Sequence, residues 1–360
     1  MSEESRRLER LRARLSEEAL DGLLVSAPSN VFYLSGFRGS SGALLITADR
    51  QLLLSDFRYR LQASEQAREF EFIEIERKLI AGAGAEAVKT AVKRLGFDPA
   101  HLTCELRDQL AEAAEGVELV PQAGLVEVLR AAKSAVEIER IAEAAGLADR
   151  ALAHMIGLLR PGATERQIAL EGEFLMRREG AEAAAFDVIV ASGPRSALPH
   201  AETTERALEP GDLVVIDIGA KVAGYCSDMT RTFAVEHAGD RASQIYGIVY
   251  RAQRAAAAQL RPGVACGEPD ATARAVIDEA GHGDDFGHGL GHGVGIEVHE
   301  RPRLGKGEEV RLVAGNVVTV EPGIYLDGFG GVRLEDLMVV TEDGADTITG
   351  APMPPELPVV

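Results

Sequence analysis

Phe286-Gly-His-Gly-Leu-Gly-His-Gly-Val-Gly-Ile-Glu-Val-His-Glu300 packs three histidines and two glutamates into fifteen residues, with a glycine beside most of them. Glycine removes the Cβ that would keep a backbone away from an ion or a ligand, and neutral imidazole is the commonest protein ligand for borderline metals. The histidines are His288, His292 and His299. Their spacings of four and seven differ from a His-Glu-x-x-His pair on a helix, and the repeated glycines oppose any helix here. The stretch reads as a strand and turn lining a pocket. One His-Gly pair would be an ordinary surface loop, so the decision rests on what else the chain offers to a metal.

It offers carboxylates in apolar surroundings. Asp217 lies inside Val214-Val-Ile-Asp-Ile218, Glu321 ends Val317-Val-Thr-Val-Glu321, and Glu335 sits in Val332-Arg-Leu-Glu-Asp-Leu337. A carboxylate among core residues is costly unless a cation or hydrogen bonds meet it. Asp228 lies on a segment, 225–233, that reads as the antiparallel neighbour of the strand expected over 214–219. Any one of the four would pass for a salt-bridged strand carboxylate. Together with the glycine-histidine stretch they are explained more simply as a metal cluster. Four carboxylates and one histidine suit two divalent ions about 3.5 to 4 Å apart with bridging carboxylates.

Around this cluster the chain alternates helix and strand. Leu8, Leu11, Leu15 and Leu20 recur at helical spacing over 6–20. Strands are expected at 22–26, 43–47, 52–55, 70–75, 102–105 and 117–120, helices at 57–68 and 83–95, and a turn-rich loop at 30–39. Residues 1–125 thus read as one mixed α/β domain. Helical patterns follow at 125–130, 135–159, 164–178, 242–260 and 268–279, with strands at 186–192, 214–219, 317–321 and 332–337. Residues 126–360 form the expected second domain. No internal repeat, low-complexity tract or heptad pattern is present.

At 360 residues, 46% hydrophobic and 26% charged, the composition is globular. The net charge of −19 repels nucleic acid and anionic membrane. Cys104, Cys226 and Cys266 are few and widely spaced, which suits reduced thiols, and Cys226 reads as packing. The opening residues lead into a charged amphipathic helix and no apolar run reaches the ~20 residues of a membrane span. The expectation is a soluble cytoplasmic protein. His101, His154, His237 and His282 match no pattern and read as surface or core residues.

The motifs Ala185-Phe-Asp-Val-Ile-Val-Ala-Ser-Gly, Ser196-Ala-Leu-Pro-His, Asp217-Ile-Gly, Ser227-Asp-Met-Thr-Arg-Thr, His288 to Glu300, Val320-Glu-Pro-Gly-Ile-Tyr and Gly331-Val-Arg-Leu-Glu-Asp resemble, in this order, the pita-bread metallopeptidases. Asn30-Val-Phe-Tyr-Leu-Ser-Gly-Phe and Asp56-Phe-Arg-Tyr resemble the creatinase-type amino-terminal domain. The resemblance implies an α+β fold: a pita-bread catalytic domain preceded by a smaller creatinase-type α/β domain. It points to the proline-specific branch, prolidase and aminopeptidase P.

What the resemblance implies for the site is specific. Asp217, Asp228, His292, Glu321 and Glu335 would be the five ligands of two divalent ions, with Asp228 and Glu335 bridging. Manganese is the expected metal, with zinc, cobalt or iron as alternatives. Glu321 would take a proton from the attacking water, His288 and His299 would polarise the carbonyl or bind the oxyanion and leaving nitrogen, and His200 would be a further substrate-site histidine. The intact ligand set argues against metal-free creatinase chemistry and against a non-catalytic protein-binding module.

Arg333 could anchor carboxylates or be a plain strand ion pair, and Tyr225 and Thr230 flank Asp228 as candidates to steady it. A dipeptidase, preferred over an aminopeptidase P acting on longer peptides, must hold the free proline carboxylate, and Arg195 and Arg38 lie on glycine-containing loops suited to that. The expected partner is a proline-containing di- or oligopeptide, and a homodimer is expected by likeness to the family.

Overall fold

Ser2 Oγ accepts the Ser5 N–H at 3.0 Å and starts the helix Glu3–Glu17, which buries Leu8, Leu11 and Leu15, the stripe read from the sequence. These coordinates come from a computed structural model, and residues 2–360 are described. Two compact units result, one ending at Arg130 and one beginning at Ala131. No helix among the described residues is long and apolar enough to cross a membrane.

The first unit is built on a six-stranded sheet. Across it run Glu71–Glu74, Gln51–Ser55, Ala43–Thr47, Gly22–Val25, Arg94–Phe97 and Glu118–Pro121. Gly22–Val25 and Ala43–Thr47 are wholly buried, as unbroken apolar runs at a sheet centre should be. Three local expectations are corrected. Residues 30–39 are no open loop: Pro28–Ser35 is a helix with proline in its first turn and Gly36 left-handed (φ 76°) at its end. The strand expected at 102–105 is the start of the helix Cys104–Ala113, whose Thr103 caps the Leu106 N–H. The helix expected to run to 95 stops at Lys89, and Arg94–Phe97 is a buried parallel strand. Short apolar windows fit either period, and the tertiary partner decides.

The second unit has two cores. Helices Ala135–Ile156 and Glu165–Arg178, each started by a full capping box, pack with Val190, Val214, Ile216 and Phe233 of the antiparallel sheet Thr230–Ala234, Leu213–Asp217, Ile189–Ser192. Helices Asp240–Ala257 and Gly267–Glu279 pack with Val318, Val320, Met338 and Val340 of the five-stranded sheet Glu300–Leu304, Gly291–Gly293, Val317–Val320, Asp336–Val340, Ala345–Thr347.

Two strands read as continuous are broken. Residues 225–233 divide into Tyr225–Cys226 and Thr230–Ala234, which belong to different sheets. Residues 332–337 divide into Gly330–Arg333, paired with Gly323–Leu326, and Asp336–Val340. Asp228 and Glu335 sit in the two breaks, where the chain leaves one sheet for another.

Candidate metal centre

Antiparallel pairing puts Asp217, the last residue of its strand, opposite Thr230. Thr230 Oγ1 donates to Glu335 Oε2 at 2.7 Å and accepts from Arg333 Nε at 3.0 Å. Arg333 then reaches Asp217 Oδ2 through Nη2 at 2.6 Å. Three strands are thereby joined through one hydroxyl and one guanidinium. The expectation that Arg333 anchors a carboxylate and the expectation that it forms a strand ion pair describe the same contact.

His292 arrives from the facing sheet. Its strand carries a register shift between His292 and Gly293, and its Nε2 lies 3.3 Å from Glu321 Oε1 and 3.7 Å from Asp228 Oδ2. Ligand atoms of Asp228, His292 and Glu335 all fall within 4.8 Å of one another. The glycines beside His292 serve the neighbouring strands more than an ion. A Cβ on Gly291 would meet the Thr319 carbonyl oxygen at 2.1 Å and one on Gly293 the Arg301 carbonyl oxygen at 2.2 Å. Thr319, which the sequence reading passed over, accepts the His292 N–H at 3.0 Å and donates to Glu321 Oε1 at 3.2 Å.

These groups are shaped for cations. Asp217 Oδ1 and Glu335 Oε1 are buried and have no hydrogen-bond partner, although burying a carboxylate oxygen unmet costs several kcal/mol. His292 Nδ1 lies 3.2 Å from the Gly293 carbonyl, so it holds the ring proton and turns the Nε2 lone pair toward Glu321 and Asp228. Lone pairs that converge without donors are what a divalent ion requires.

The electrostatics agree. Burial, then the charges of Glu335, Asp217 and Glu321, hold Asp228 well above the usual carboxylate range. Burial and the charges of Glu321 and Asp217 do the same to Glu335. Burial also lifts Asp217 in spite of Arg333. Glu321 differs: burial would raise it, but the protonated His292 that faces it in the absence of a cation hydrogen-bonds it and leaves it lowered. In return Glu321 outweighs the burial of His292 and raises the imidazole.

The remaining histidines divide. The His299 ring stands 4.2 Å from that of His292, edge on, and burial and His292 lower its pKa. His288 Nδ1 donates to the Gly289 carbonyl at 2.8 Å, so Nε2, 2.9 Å from the Tyr325 hydroxyl, is the acceptor. Tyr325 Oη in turn accepts from Arg333 Nη1 at 3.2 Å. Tyr325 is a site residue that sequence reasoning missed, although it stands four residues after Glu321. Arg333 Nη1 also donates to the Pro199 carbonyl at 3.1 Å, which ties the loop carrying exposed His200 to the carboxylates.

Other candidates go elsewhere. Tyr225 Oη donates to Glu137 Oε1 at 3.0 Å, on the helix Ala135–Ile156. Arg195 Nη2 donates to the Glu202 carbonyl at 2.5 Å, and its Nε lies 3.4 Å from the buried Glu165. Arg38 belongs to the first unit, where its guanidinium lies 4.8 Å over the Phe32 ring. Asp98, His101 and Glu127 of that unit also converge. Their carboxylates already accept the Ala100 N–H at 2.9 Å and Asn30 Nδ2 at 2.6 Å, and His101 is exposed, as in a solvated cluster.

Comparison with known proteins places the geometry in context. Residues 139–342 match metallopeptidase family M24, and residues 7–132 match the creatinase/prolidase N-terminal domain. The chain is 38% identical to the Xaa-Pro dipeptidase of Pyrococcus furiosus over 95% of its own length and 97% of that protein. It superposes with a TM-score of 0.96 on the Xaa-Pro dipeptidase from Bacillus anthracis, at 41% identity, covering 99% of this chain and 100% of that one. The X-Pro aminopeptidase from Thermotoga maritima gives a TM-score of 0.89 at 36% identity, covering 98% and 100%.

Proposed function

The chain belongs to metallopeptidase family M24, and on that premise we propose that it hydrolyses the Xaa-Pro bond of dipeptides, using two divalent ions held by Asp217, Asp228, His292, Glu321 and Glu335. The observation that carries this is the set of buried, donor-less oxygens, Asp217 Oδ1 and Glu335 Oε1, beside the turned-in Nε2 of His292. Asp228 and Glu335, held well above the usual carboxylate range by burial first and then by neighbouring carboxylates, are the two that would gain most from a shared cation charge. Bound there, the ions supply Lewis acidity that activates water near neutral pH and polarises the scissile carbonyl.

The side chains supply the rest. Glu321, the carboxylate kept ionised, accepts the proton of the attacking water and passes it to the leaving proline nitrogen, while Thr319 holds its Oε1. His299, beside His292 and short of full burial, donates to the oxygen that becomes negative. Tyr325 and Arg333 orient His288, and His200 reaches the substrate from its exposed loop. The ions are assigned as manganese, since four of five ligands are carboxylates. The three free cysteines suit a cytoplasmic setting, and a homodimer is proposed as the working form.

The named relatives include both dipeptidases and an X-Pro aminopeptidase, so the test compares an Xaa-Pro dipeptide with the same peptide extended by one residue, on chelator-stripped protein with manganese restored. Cleavage of the dipeptide alone, dependent on manganese, is the expected result. Equal cleavage of the tripeptide would make the enzyme an aminopeptidase, and activity indifferent to chelator would refute the metal chemistry.

A further inference from the structure

Burying an ion pair costs desolvation that its own attraction scarcely offsets, so a fully buried pair calls for a role besides stability. Lys133 Nζ lies 2.8 Å from Glu300 Oε1, with the two side chains 1% and 5% exposed. Nothing in the chemistry above uses either residue. Lys133 precedes the capped start of the helix Ala135–Ile156 and is anchored by its N–H to the Gly315 carbonyl at 2.8 Å. Its partner Glu300 follows His299 directly and opens the strand Glu300–Leu304.

The turn between His292 and Glu300 closes over this pair. A Cβ at Gly295 would stand 2.3 Å from Glu300 Oε1 and 3.0 Å from Lys133 Cε, so the turn fits only because that position has no side chain. The Gly295 carbonyl accepts the Cys226 N–H at 2.7 Å and its N–H donates to the Glu297 carbonyl at 3.0 Å. One end of the turn is thus held at Gly295 by the Cys226 N–H, the other by Glu300 on Lys133. His299 stands between these fixed points.

We propose that Lys133 is a positioning residue for His299: through Glu300 it fixes the peptide that follows His299 and so sets where that imidazole stands beside His292. The proposal rests on the reading of His299 as a group that meets the substrate. A displacement of about 1 Å at such a group costs on the order of 10²-fold in rate.

The experiment is a double-mutant cycle on manganese-saturated, full-length protein with an Xaa-Pro dipeptide. Lys133→Met takes the ammonium away from a buried carboxylate, so Lys133→Met/Glu300→Met, an apolar replacement of both side chains, separates folding from positioning. This double variant is expected to match the parent in melting temperature and metal content, with kcat lower by roughly 10- to 100-fold and KM within about twofold. In a His299→Ala background the same pair of changes should alter kcat by less than about twofold. Parent-like kcat in the double variant, or an undiminished loss in the His299→Ala background, overturns the proposal. A His299→Ala protein at full rate would instead sink the role given to His299. If the double variant does not fold, Lys133→Arg, which keeps the charge on a wider head, is carried through the same cycle and decided by the same two results.

Discussion

Asp228→Asn changes one charge in the carboxylate cluster while keeping the side-chain shape. In the metal-free protein Asp228 and Glu335 present oxygens within 4.8 Å, where two unit charges repel by about 3.5 kcal/mol at an effective dielectric of ~20. Proton uptake relieves part of this, so the metal-free variant should be more stable than the parent at pH 7.5 by about 1–3 kcal/mol. For a unit of this size that is roughly 3–10 °C in melting temperature. The sign of the pH dependence follows from the raised pKa values of Asp228 and Glu335. Folding favours their protonated forms, so their contribution is present below the ordinary carboxylate pKa of about 4 and is lost as pH rises through the raised folded values. The advantage of asparagine must therefore shrink as pH falls from 7.5 toward 5. Manganese should reverse the order, since a ligand at 100 times its Kd stabilises the parent by about 2.7 kcal/mol per site and the variant has lost a ligand. The assay is thermal melting of chelator-stripped and manganese-loaded proteins across that pH range. A metal-free Asp228→Asn protein that melts below the parent at pH 7.5 would refute the reasoning, because it would mean that the carboxylate is satisfied by the protein itself.

Arg333→Lys replaces a fork that holds Asp217, Thr230, Tyr325 and Pro199 with a single ammonium; kcat/KM at saturating manganese should fall roughly 10- to 100-fold, and a near-normal value would show that Asp217 needs no orientation. Tyr325→Phe removes the donor to His288 Nε2 and should lower kcat about tenfold with little change in the amount of bound metal, measured by steady-state kinetics and elemental analysis. Arg195→Ala removes the cation 3.4 Å from Glu165, whose carboxylate keeps four hydrogen bonds from Ser192 and Thr204, so the melting temperature should drop by only a few degrees, about 1 kcal/mol, while KM for the dipeptide stays within about threefold; a large rise in KM alone would return Arg195 to the carboxylate clamp.

Several site residues were legible because their surroundings contradict their chemistry. Asp217 and Glu321 interrupt or end runs of valine and isoleucine, and no half-polar strand face explains them. The glycine-histidine stretch announced itself by composition, although its glycines turn out to make room for Thr319 and Arg301. Tyr325 and Thr319 were not legible: a tyrosine or threonine in a strand is ordinary, and only the fold brings the first to His288 and the second to Glu321. The opposite failure is Tyr225. Proximity in sequence to Asp228 suggested a shared site, but a two-residue strand directs its hydroxyl to Glu137 on a helix.

Local chemistry specified which residue types had to meet. Hydrophobic period, capping residues such as Ser134 and Thr164, and the isolated carboxylates are all properties of short windows, and windows are what a sequence displays. The meeting itself is not a property of any window. Asp228 and Glu335 stand 107 positions apart, in breaks where the chain changes sheets, and a continuous apolar run looks the same whether or not it changes partner. Those breaks arise because each half-strand has a different neighbour to satisfy its backbone hydrogen bonds, and that neighbour is supplied by residues far along the chain. Tertiary pairing thus decided where the lone pairs converge, which arginine they share, and that Lys133 would be buried under the turn that carries His299.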